Sequence, residues 1–484
     1  MKQDDHGLLA ISRYVPRLRL ERSEIFAQHR WMAPGLRSLA KGQRAIGNWD
    51  EDAVTMATEA SRALQADLGG QPITGLTLAS NSLPFAERLN AGIVASALGL
   101  PSTTTVRDVS SSARAATTEL IAALTQPCQQ GQVRVVVASD RRTGRPASTM
   151  EMITGDGAAA VAVGHGPVIA TLVGARSEYA DFVDHFRQTG ESYDYGWEER
   201  WVREEGYMKI AFQAIKACLV DLNVQAEEVD YFVMPAILAK VNVAMAKKLG
   251  IPASAVAGSH SESVGDIGCG QPLAMLDTVL RQAKPGALIV MVSFGNGCDT
   301  LVLRRTALAC PGLEPDAGKS ETSYLKYLSF TNQLSLEWGM RAEMDNKTAL
   351  TAAWRDHARV HHFEGGKCRA CGTIQFPSTR LCVNPECNAE NSQDLISLAD
   401  APAHVMSHTS DFLAYTPHPP FQFGHIDFDA GGRVLMEFTD TDQGELHPGL
   451  PVRMVFRIKE FDHKRGFRRY FWKAIPVRTT STGE

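Results

Sequence analysis

Short apolar runs alternate with amphipathic segments of helical period along the first 305 residues. Four of these runs predict buried β-strands, and they cover residues 76–80, 133–139, 231–234 and 287–294. Strands that alternate with helices build mainly parallel sheets with helices packed on their faces. The pattern therefore predicts an α/β architecture for this part of the chain.

A glycine-rich turn that leads into an apolar strand occurs twice in the same region. The first copy begins Gly155-Asp156-Gly157-Ala158, and the second, Phe294-Gly295-Asn296-Gly297, follows about 140 residues later. A repeat on this scale indicates a duplicated core. We place the two predicted halves at residues 1–165 and 166–305.

The pattern changes after residue 305. Residues 306–321 carry two prolines, two glycines and no period, which predicts a linker. Residues 322–362 have helical composition, with aromatic and leucine residues spaced for one or two surface helices. After a cysteine-rich segment at 363–395, alternating runs predict antiparallel strands, and we expect residues 396–484 to close into a small barrel because closure leaves no exposed edge. These runs cover residues 433–438, 452–458 and 469–475.

Composition narrows the function classes. The chain has 484 residues, 44% hydrophobic and 21% charged, with a net charge of −5, which is ordinary globular usage and gives no indication of a nucleic-acid-binding protein. Its length exceeds that of a single core, so we expect at least two domains. No run approaches the roughly 20 apolar residues of a membrane span, and the first residues are acidic, so we expect a cytoplasmic protein without a membrane partner.

Four of the nine cysteines are paired in two short motifs. Cys368-x2-Cys371 and Cys382-x4-Cys387 supply four thiolates, the ligand set of tetrahedral zinc. Because protein ligands fill every position, the predicted zinc is structural and not catalytic. The alternative is four unligated buried cysteines.

Several segments of the first 305 residues resemble a known family. They include Tyr14-Val15-Pro16-Arg17, Asn48-Trp49-Asp50-Glu51-Asp52-Ala53, Gly144-Arg145-Pro146 and Ala246-Lys247-Lys248-Leu249-Gly250, together with the two glycine turns. They resemble archaeal-type hydroxymethylglutaryl-CoA synthases, relatives of the third-type ketoacyl synthases in the thiolase superfamily. The resemblance implies a thiolase-like, duplicated five-layer α-β-α-β-α core.

The cysteine-rich tail resembles a second group of proteins. Cys368-Arg369-Ala370-Cys371-Gly372, followed by Phe376-Pro377, is similar to the zinc-ribbon and OB-fold proteins that accompany thiolases and synthases as separate subunits. This implies a rubredoxin-like zinc ribbon and an OB-fold β-barrel, here fused to the core.

The four catalytic positions of the resembled synthases carry other residues in this chain. The family's nucleophilic cysteine falls on Ala113, and its histidine falls on Pro235 when Lys240 is aligned with the family's lysine. The general-base glutamate falls on Asn81, and the asparagine of the second half falls on Asp266. Alanine and proline neither attack a thioester nor transfer a proton, so we expect the standard covalent mechanism to fail.

Three residues are candidates to replace this chemistry. Ser112 neighbours the lost nucleophile, but a serine without an adjacent base is weak, and a packing or hydrogen-bonding role is the alternative. Cys269 is either a displaced thiol or a small buried hydrophobic residue. Asp266, beside Asn81, is either a general base or orienting group, or a structural residue.

Basic residues suggest where CoA would bind. Lys240, Lys247 and Lys248 match the family's basic stretch at the tunnel mouth, and Lys240 aligns with a lysine that contacts CoA in the synthases. A solvated helix face is the alternative for Lys247 and Lys248. Residues 459–473 interleave basic and aromatic residues, a pattern that also occurs in proteins that bind single-stranded nucleic acid. Because the whole chain is acidic, we favour the phosphates of CoA as the anion that this segment would bind. The third possibility is a charged hairpin without a ligand.

Two functions follow from the resemblance. The first is an enzyme that forms or cleaves carbon–carbon bonds on an acyl-CoA thioester without an acyl-cysteine, as thiolase-fold aldolases do. The second is a catalytically silent subunit that supports an active thiolase or synthase paralogue. Because thiolase cores pair beside their pockets, we also expect a homodimer or a heteromer with such a paralogue.

Overall fold

The computed structural model describes residues 6–126, 128–310, 318–337 and 349–478. These residues form two compact units, the first within Met1–Gly47, Asp52–Gly92 and Ser102–Tyr324, and the second within Asn48–Glu51, Ile93–Pro101 and Leu325–Glu484. Part of the predicted linker (311–317), part of the predicted helical segment (338–348) and the last residues of the predicted barrel (479–484) lie outside the described residues. The sequence-based domain bounds stay predictions.

The described residues of the first unit contain fourteen strands and the helices between them. The strands are β1 His6–Tyr14, β2 Leu18–Glu21, β3 Gln43–Ile46, β4 Ile73–Ala79, β5 Thr105–Val109, β6 Val133–Arg141, β7 Asp156–His165, β8 Ala170–Tyr179, β9 His185–Phe186, β10 Tyr195–Gly196, β11 Tyr231–Val233, β12 Leu288–Phe294, β13 Gly297–Arg305 and β14 Lys319–Glu321. The helices are α1 Arg22–His29, α2 Ala53–Asp67, α3 Asn90–Ala97, which begins in the first unit and ends in the second, α4 Ala115–Thr125, α5 Thr149–Ile153, α6 Glu199–Trp201, α7 Phe212–Asp221, α8 Val241–Leu249 and α9 Gln271–Gln282, with a π-helix at Val202–Ala211.

The strand order of the main sheet confirms the predicted duplication. Nine strands are arranged as β11-β12-β13-β8-β1-β7-β6-β4-β5. The first half has the order β5-β4-β6-β7-β1, and the second repeats it as β11-β12-β13-β8, with a parallel bridge between Phe232 and Val256 at the position of β5. The halves meet where β1 and β8 pair through Gly7–Thr171 and Leu8–Ala170.

Helices pack on both faces of each half, which gives the five layers that the resemblance implies. Helix α2 covers β1, β6 and β7, and α7 covers β8 and β13. Between the halves, α4 contacts α9 and strands of both halves. The central helices bury most of their apolar side chains; their fully buried apolar residues include Ala116, Leu120, Leu273, Met275, Leu276 and Leu280.

The glycines of the repeated turn are explained by close backbone contacts. A Cβ atom at Gly155 would overlap the carbonyl oxygen of Val264, and one at Gly297, whose φ is +124°, would overlap that of Glu178. Glycine is therefore needed at both turns, because only a residue without a side chain fits against the neighbouring backbone.

The second unit consists of short helices, a three-stranded sheet and a five-stranded sheet. Its elements are α10 Tyr324–Phe330, which begins at the last residue of the first unit, α11 Leu350–Arg355, α12 His357–His361, β15 Glu364–Cys368, β16 Ile374–Gln375, β17 Gln393–Ser397, β18 Ala403–Asp411, β19 Phe421–Phe428, β20 Arg433–Glu437, β21 Pro451–Asp462 and β22 Phe467–Pro476. The larger sheet has the order β20-β19-β18-β21-β22, and a bridge between Phe438 and Ala474 joins its two edges. The predicted barrel is confirmed.

Buried charges hold residues 48–51 in the second unit. The Lys473 ammonium lies 2.9 Å from Asp50 Oδ2 and 3.3 Å from Glu437 Oε2. The Nη2 atom of Arg457 lies 3.2 Å from Glu51 Oε1 and 3.1 Å from Asp440 Oδ2. Removing one member of such a cluster leaves the opposite charge buried and unpaired, which is strongly destabilising.

We therefore expect Lys473→Met to lower the free energy of unfolding by about 3–5 kcal/mol, since buried Asp50 loses its nearer cation and keeps only Arg457 Nε, 3.9 Å from its other oxygen. Lys464→Met is the matched control, because Lys464 is exposed in the turn between β21 and β22. Urea denaturation followed by circular dichroism measures both variants. Equal stability of the two would contradict a stabilising role for this cluster.

Candidate functional site

A buried aspartate between the two halves assembles the candidate site. Asp140, near the end of β6, is fully buried. Its Oδ1 accepts hydrogen bonds from Ser80 Oγ at 3.0 Å, from the Asn81 amide at 2.8 Å and from Ser82 Oγ at 2.8 Å. Its Oδ2 accepts from the Cys269 amide at 2.8 Å. One carboxylate thus fixes the segment after β4 against the turn that precedes α9.

Three of the predicted residues meet next to this carboxylate. Asn81 Nδ2 donates to Cys269 Sγ at 3.3 Å, and the Cys269 thiol donates to the carbonyl of Ser112 at 3.4 Å. Asn81 Oδ1 accepts from the Ser111 amide at 2.9 Å. The two halves of the duplicated core therefore contribute to one cluster.

Ala113 lies against the second glycine turn. A Cβ atom placed on Gly295 would be 3.1 Å from Ala113 Cβ and 3.3 Å from Ser112 Oγ. The Ser112 hydroxyl donates to the Gly295 carbonyl at 2.9 Å and accepts from the Arg114 amide at 3.3 Å. Among the described residues no histidine is bonded to Ser112, so its hydroxyl serves the turn before α4 and is not activated as a nucleophile.

The thiol of Cys269 is kept in its neutral form. The residue is fully buried, and burial, with Asp140 nearby, raises the pKa of the thiol well above its ordinary value. Since the thiolate is the reactive form of cysteine, these surroundings disfavour Cys269 as a displaced nucleophile.

Asp266 presents a half-buried carboxyl group three residues before Cys269. Its backbone amide donates to Ile153 O at 2.8 Å, its carbonyl accepts from Gly155 N at 2.8 Å, and its Oδ1 accepts from Gly268 N at 2.9 Å. Burial raises the pKa of Asp266, while the Gly268 amide and Arg142 oppose the rise. A carboxyl group whose pKa is raised by burial and that has a charged partner nearby is a candidate for proton transfer.

Sequence reasoning missed a set of charged residues around this carboxyl group. Arg142 is 5% exposed and forms an ion pair with Asp194, which Arg187 also contacts at 3.3 Å. Arg187 donates in addition to the carbonyl of Asn81. Asp140 and Arg142 lie at the end of a predicted strand, where α/β sheets often place polar site residues. That position could have identified Asp140 and Arg142 as candidate site residues. Asp194 and Arg187 belong to a segment without periodicity, so the sequence offered no such indication for them.

The predicted CoA-binding lysines lie elsewhere in the first unit. Lys240 and Lys247 are exposed at the two ends of α8, and Pro235 is half-buried two residues after β11. The ammonium group of Lys248 donates to Met208 O at 2.6 Å and lies 4.3 Å from the ring centroid of Phe212. The structure places none of the three lysines in the Asp140 cluster.

The four predicted metal ligands converge in the second unit. The sulfur atoms of Cys368, Cys371, Cys382 and Cys387 all lie within 4.8 Å of one another. Those of Cys368 and Cys387 are 3.9 Å apart, and those of Cys371 and Cys382 are 3.6 Å apart. Zn–S bonds of about 2.3 Å in a tetrahedron place the sulfurs about 3.8 Å apart, so the geometry fits zinc. Zinc bound there would have four protein ligands and a structural role.

Comparison with known families identifies three parts of the chain. The C-terminal domain of 3-oxoacyl-acyl-carrier-protein (ACP) synthase III matches residues 219–303. The rubredoxin-like zinc ribbon domain of ChsH2 matches residues 355–391, and the C-terminal OB-fold domain of ChsH2 matches residues 402–457. The predicted zinc ribbon and OB-fold are confirmed. In the described part of the chain, no helix has the length and apolar character needed to cross a membrane.

The purified protein is expected to contain close to one zinc ion per chain, measured by elemental analysis. Replacing Cys368 and Cys371 by serine removes two of four ligands and should abolish the metal, whereas Cys218→Ser, a buried cysteine outside the cluster, should retain it. Because metal binding contributes folding free energy, chelation should also lower the melting temperature. Absence of zinc in freshly prepared protein would contradict the assignment.

Solved structures and curated relatives match the core. The 3-oxoacyl-(acyl carrier protein) synthase III of Pseudomonas aeruginosa superposes with a TM-score of 0.55 at 21% identity, covering 63% of this chain and 100% of that one. An HMG-CoA synthase complexed with CoA gives 0.56 at 17% identity, covering 68% and 87%. These two establish the fold.

Sequence similarity goes further. The hydroxymethylglutaryl-CoA synthase of Picrophilus torridus is 29% identical over 303 residues, covering 60% of this chain and 84% of the relative. That of Pyrococcus furiosus is 30% identical over 300 residues, with the same coverage. The chain therefore belongs to the hydroxymethylglutaryl-CoA synthase family and carries a zinc ribbon and an OB-fold in addition.

Proposed function

We propose that the core binds an acyl-CoA thioester and forms or cleaves a carbon–carbon bond on it without a covalent acyl-enzyme. The observation that carries this proposal is the Asp266 carboxyl group, half-buried with a raised pKa, beside the cluster that contains Asn81 and Cys269. The names of the similar proteins, synthases that act on CoA esters or were solved with CoA, support the substrate class.

The proposed chemistry follows from two features of the site: it lacks an activated nucleophile, and it retains a group that can accept a proton. Ala113 supplies no nucleophile, the Ser112 hydroxyl is bonded to a carbonyl, and the Cys269 thiol is neutral. Forming an enolate of a thioester requires only a proton acceptor and hydrogen-bond donors for the oxygen. We assign the acceptor role to Asp266 and an orienting role to Asn81.

Two further elements complete the proposal. Lys240 and Lys247, whose ammonium groups are exposed, would bind the CoA phosphates, while Lys248 is already bonded to Met208. We also propose that the chain works in the cytoplasm as a homodimer or as a heteromer with a thiolase or synthase paralogue.

The alternative is a catalytically silent subunit of such a paralogue. The observation in its favour is that all four aligned catalytic positions differ, as Ala113, Pro235, Asn81 and Asp266. A silent subunit would bind its partner and leave the α-protons of acyl-CoA unexchanged, which distinguishes it from the enzyme.

No acyl group is expected to become attached to the core on incubation with acetyl-CoA. The reason is that Ala113, in the turn before α4, lacks sulfur and Ser112 lacks a base. Intact-protein mass spectrometry, followed by peptide mapping, measures this directly. An acetyl adduct on Ser112 or Cys269 would overturn the proposed non-covalent chemistry.

Asp266→Asn is expected to slow exchange of the α-protons of acetyl-CoA with D2O by about 10²–10⁴-fold, the usual contribution of a general base. Proton NMR measures the exchange, and Asp429→Asn, an exposed aspartate of the barrel, is the control. The acceptor must be ionised, so the wild-type rate should rise as pH increases through the raised pKa of Asp266. A wild-type rate in Asp266→Asn would contradict the assignment.

A further inference from the structure

A short hairpin carries an acid–base pair that the four family positions do not include. Strands β9 and β10 pair through His185–Gly196 and Phe186–Tyr195. The rings of Phe186 and Tyr195 lie 5.3 Å apart, and both are exposed. The side chains of His185 and the preceding Asp184 are more buried, at 23% and 12% exposed.

The hairpin is attached to the candidate site at three points. At its start, Ala180 N donates to Asn296 O at 3.1 Å, and Asn296 Nδ2 donates to Phe182 O at 3.3 Å, which joins it to the glycine turn beside Ala113. In its middle, Arg187 donates to the carbonyl of Asn81. Near its end, Asp194 forms an ion pair with Arg142. These contacts place the inner side of the hairpin next to the Asn81 cluster.

The carboxylate of Asp184 orients the imidazole ring of His185. His185 Nδ1 lies 2.9 Å from Asp184 Oδ2, and Asp184 Oδ1 is buried without a hydrogen-bond partner. No described residue is hydrogen-bonded to His185 Nε2. A carboxylate that fixes one ring nitrogen and leaves the other open is the arrangement that serves histidine as an acid–base group.

We propose that His185, positioned by Asp184, is the second acid–base group of the Asp266 pocket and takes over the role lost at Pro235. This deepens, and rests on, the proposed function. A positive charge on His185 would lower the pKa of the Asp266 carboxyl group, which burial raises by a larger amount.

The proton transfers balance without another reagent. Asp266 takes the α-proton of the thioester, and the C–H electron pair becomes the carbon–carbon double bond. The carbonyl π pair moves to the oxygen, which takes a proton from Nε2 of the His185 imidazolium. A neutral enol, a neutral imidazole and a protonated Asp266 result, and the reverse transfers, with deuterium from solvent, return an exchanged thioester.

The test is exchange of the α-protons of acetyl-CoA in D2O by the full-length protein, with acetyl-CoA binding measured by calorimetry. His185→Ala should lower the exchange rate about 10²–10⁴-fold with binding retained, and added imidazole should restore part of it. Asp184→Asn, which retains the size of the side chain, should give a smaller loss. His408→Gln, at an exposed histidine of the barrel, should leave the rate unchanged.

The outcomes separate the two proposals. Exchange that requires Asp266 but proceeds at the wild-type rate in His185→Ala would overturn the role of His185 and leave the proposed function in place. Absence of exchange in the wild-type protein would overturn the proposed function, and the role of His185 with it. A loss in His185→Ala that imidazole does not restore, in a variant that binds acetyl-CoA normally, would also overturn proton transfer by this residue.

Discussion

The candidate site depends on one buried carboxylate. Asp140 accepts four hydrogen bonds, three from the segment after β4 and one from the turn before α9. Gly268 is needed beside it, because a Cβ atom there would overlap Asp140 Oδ2. A buried carboxylate without partners costs far more than its bonds contribute, so the two segments are held together by the need to satisfy it. Asn81 and Cys269 take their positions from this constraint.

The packing around Ala113 supports the proposed non-covalent chemistry. In a cysteine-dependent synthase the start of the buried helix must hold a thiolate. Here the corresponding position holds the methyl group of Ala113, which would lie 3.1 Å from a Cβ atom on Gly295. The neighbouring Ser112 hydroxyl donates a hydrogen bond to the Gly295 carbonyl. The remaining ionisable groups are carboxylates, arginines and a histidine. They suit proton transfer and charge stabilisation, not acyl transfer.

The sequence predicts what is encoded locally. Strand β6 was predicted because 133–139 is mostly apolar, with Arg134 and Ser139 as its polar residues, and the zinc ligands because two short cysteine spacings specify a tetrahedral site. Strands β1 and β8 were not predicted, since polar residues such as Ser12, Arg13 and Arg176 interrupt their apolar pattern.

The rest of the site depends on distant contacts. The roles of Asp140 and Asp194 follow from partners far along the chain, and the hairpin has no hydrophobic period. Likewise, nothing in the segment around residue 50 indicates that it belongs with strands near residue 470. Alignment to the family located Asp266, but its raised pKa comes from burial that only the folded chain provides.

The pairing of Asp50 with Lys473 joins residues separated by 423 positions. At a synthesis rate of roughly 5–20 residues per second, Asp50 leaves the ribosome roughly 20–85 s before its cation does. Throughout that interval the acidic segment has no barrel to enter and remains solvated. The second unit is therefore assembled from pieces made at both ends of translation, and a barrel produced from the C-terminal residues alone would bury Lys473 and Arg457 without Asp50 and Glu51. Residues 48–51 therefore belong to what the barrel needs in order to satisfy its buried cations.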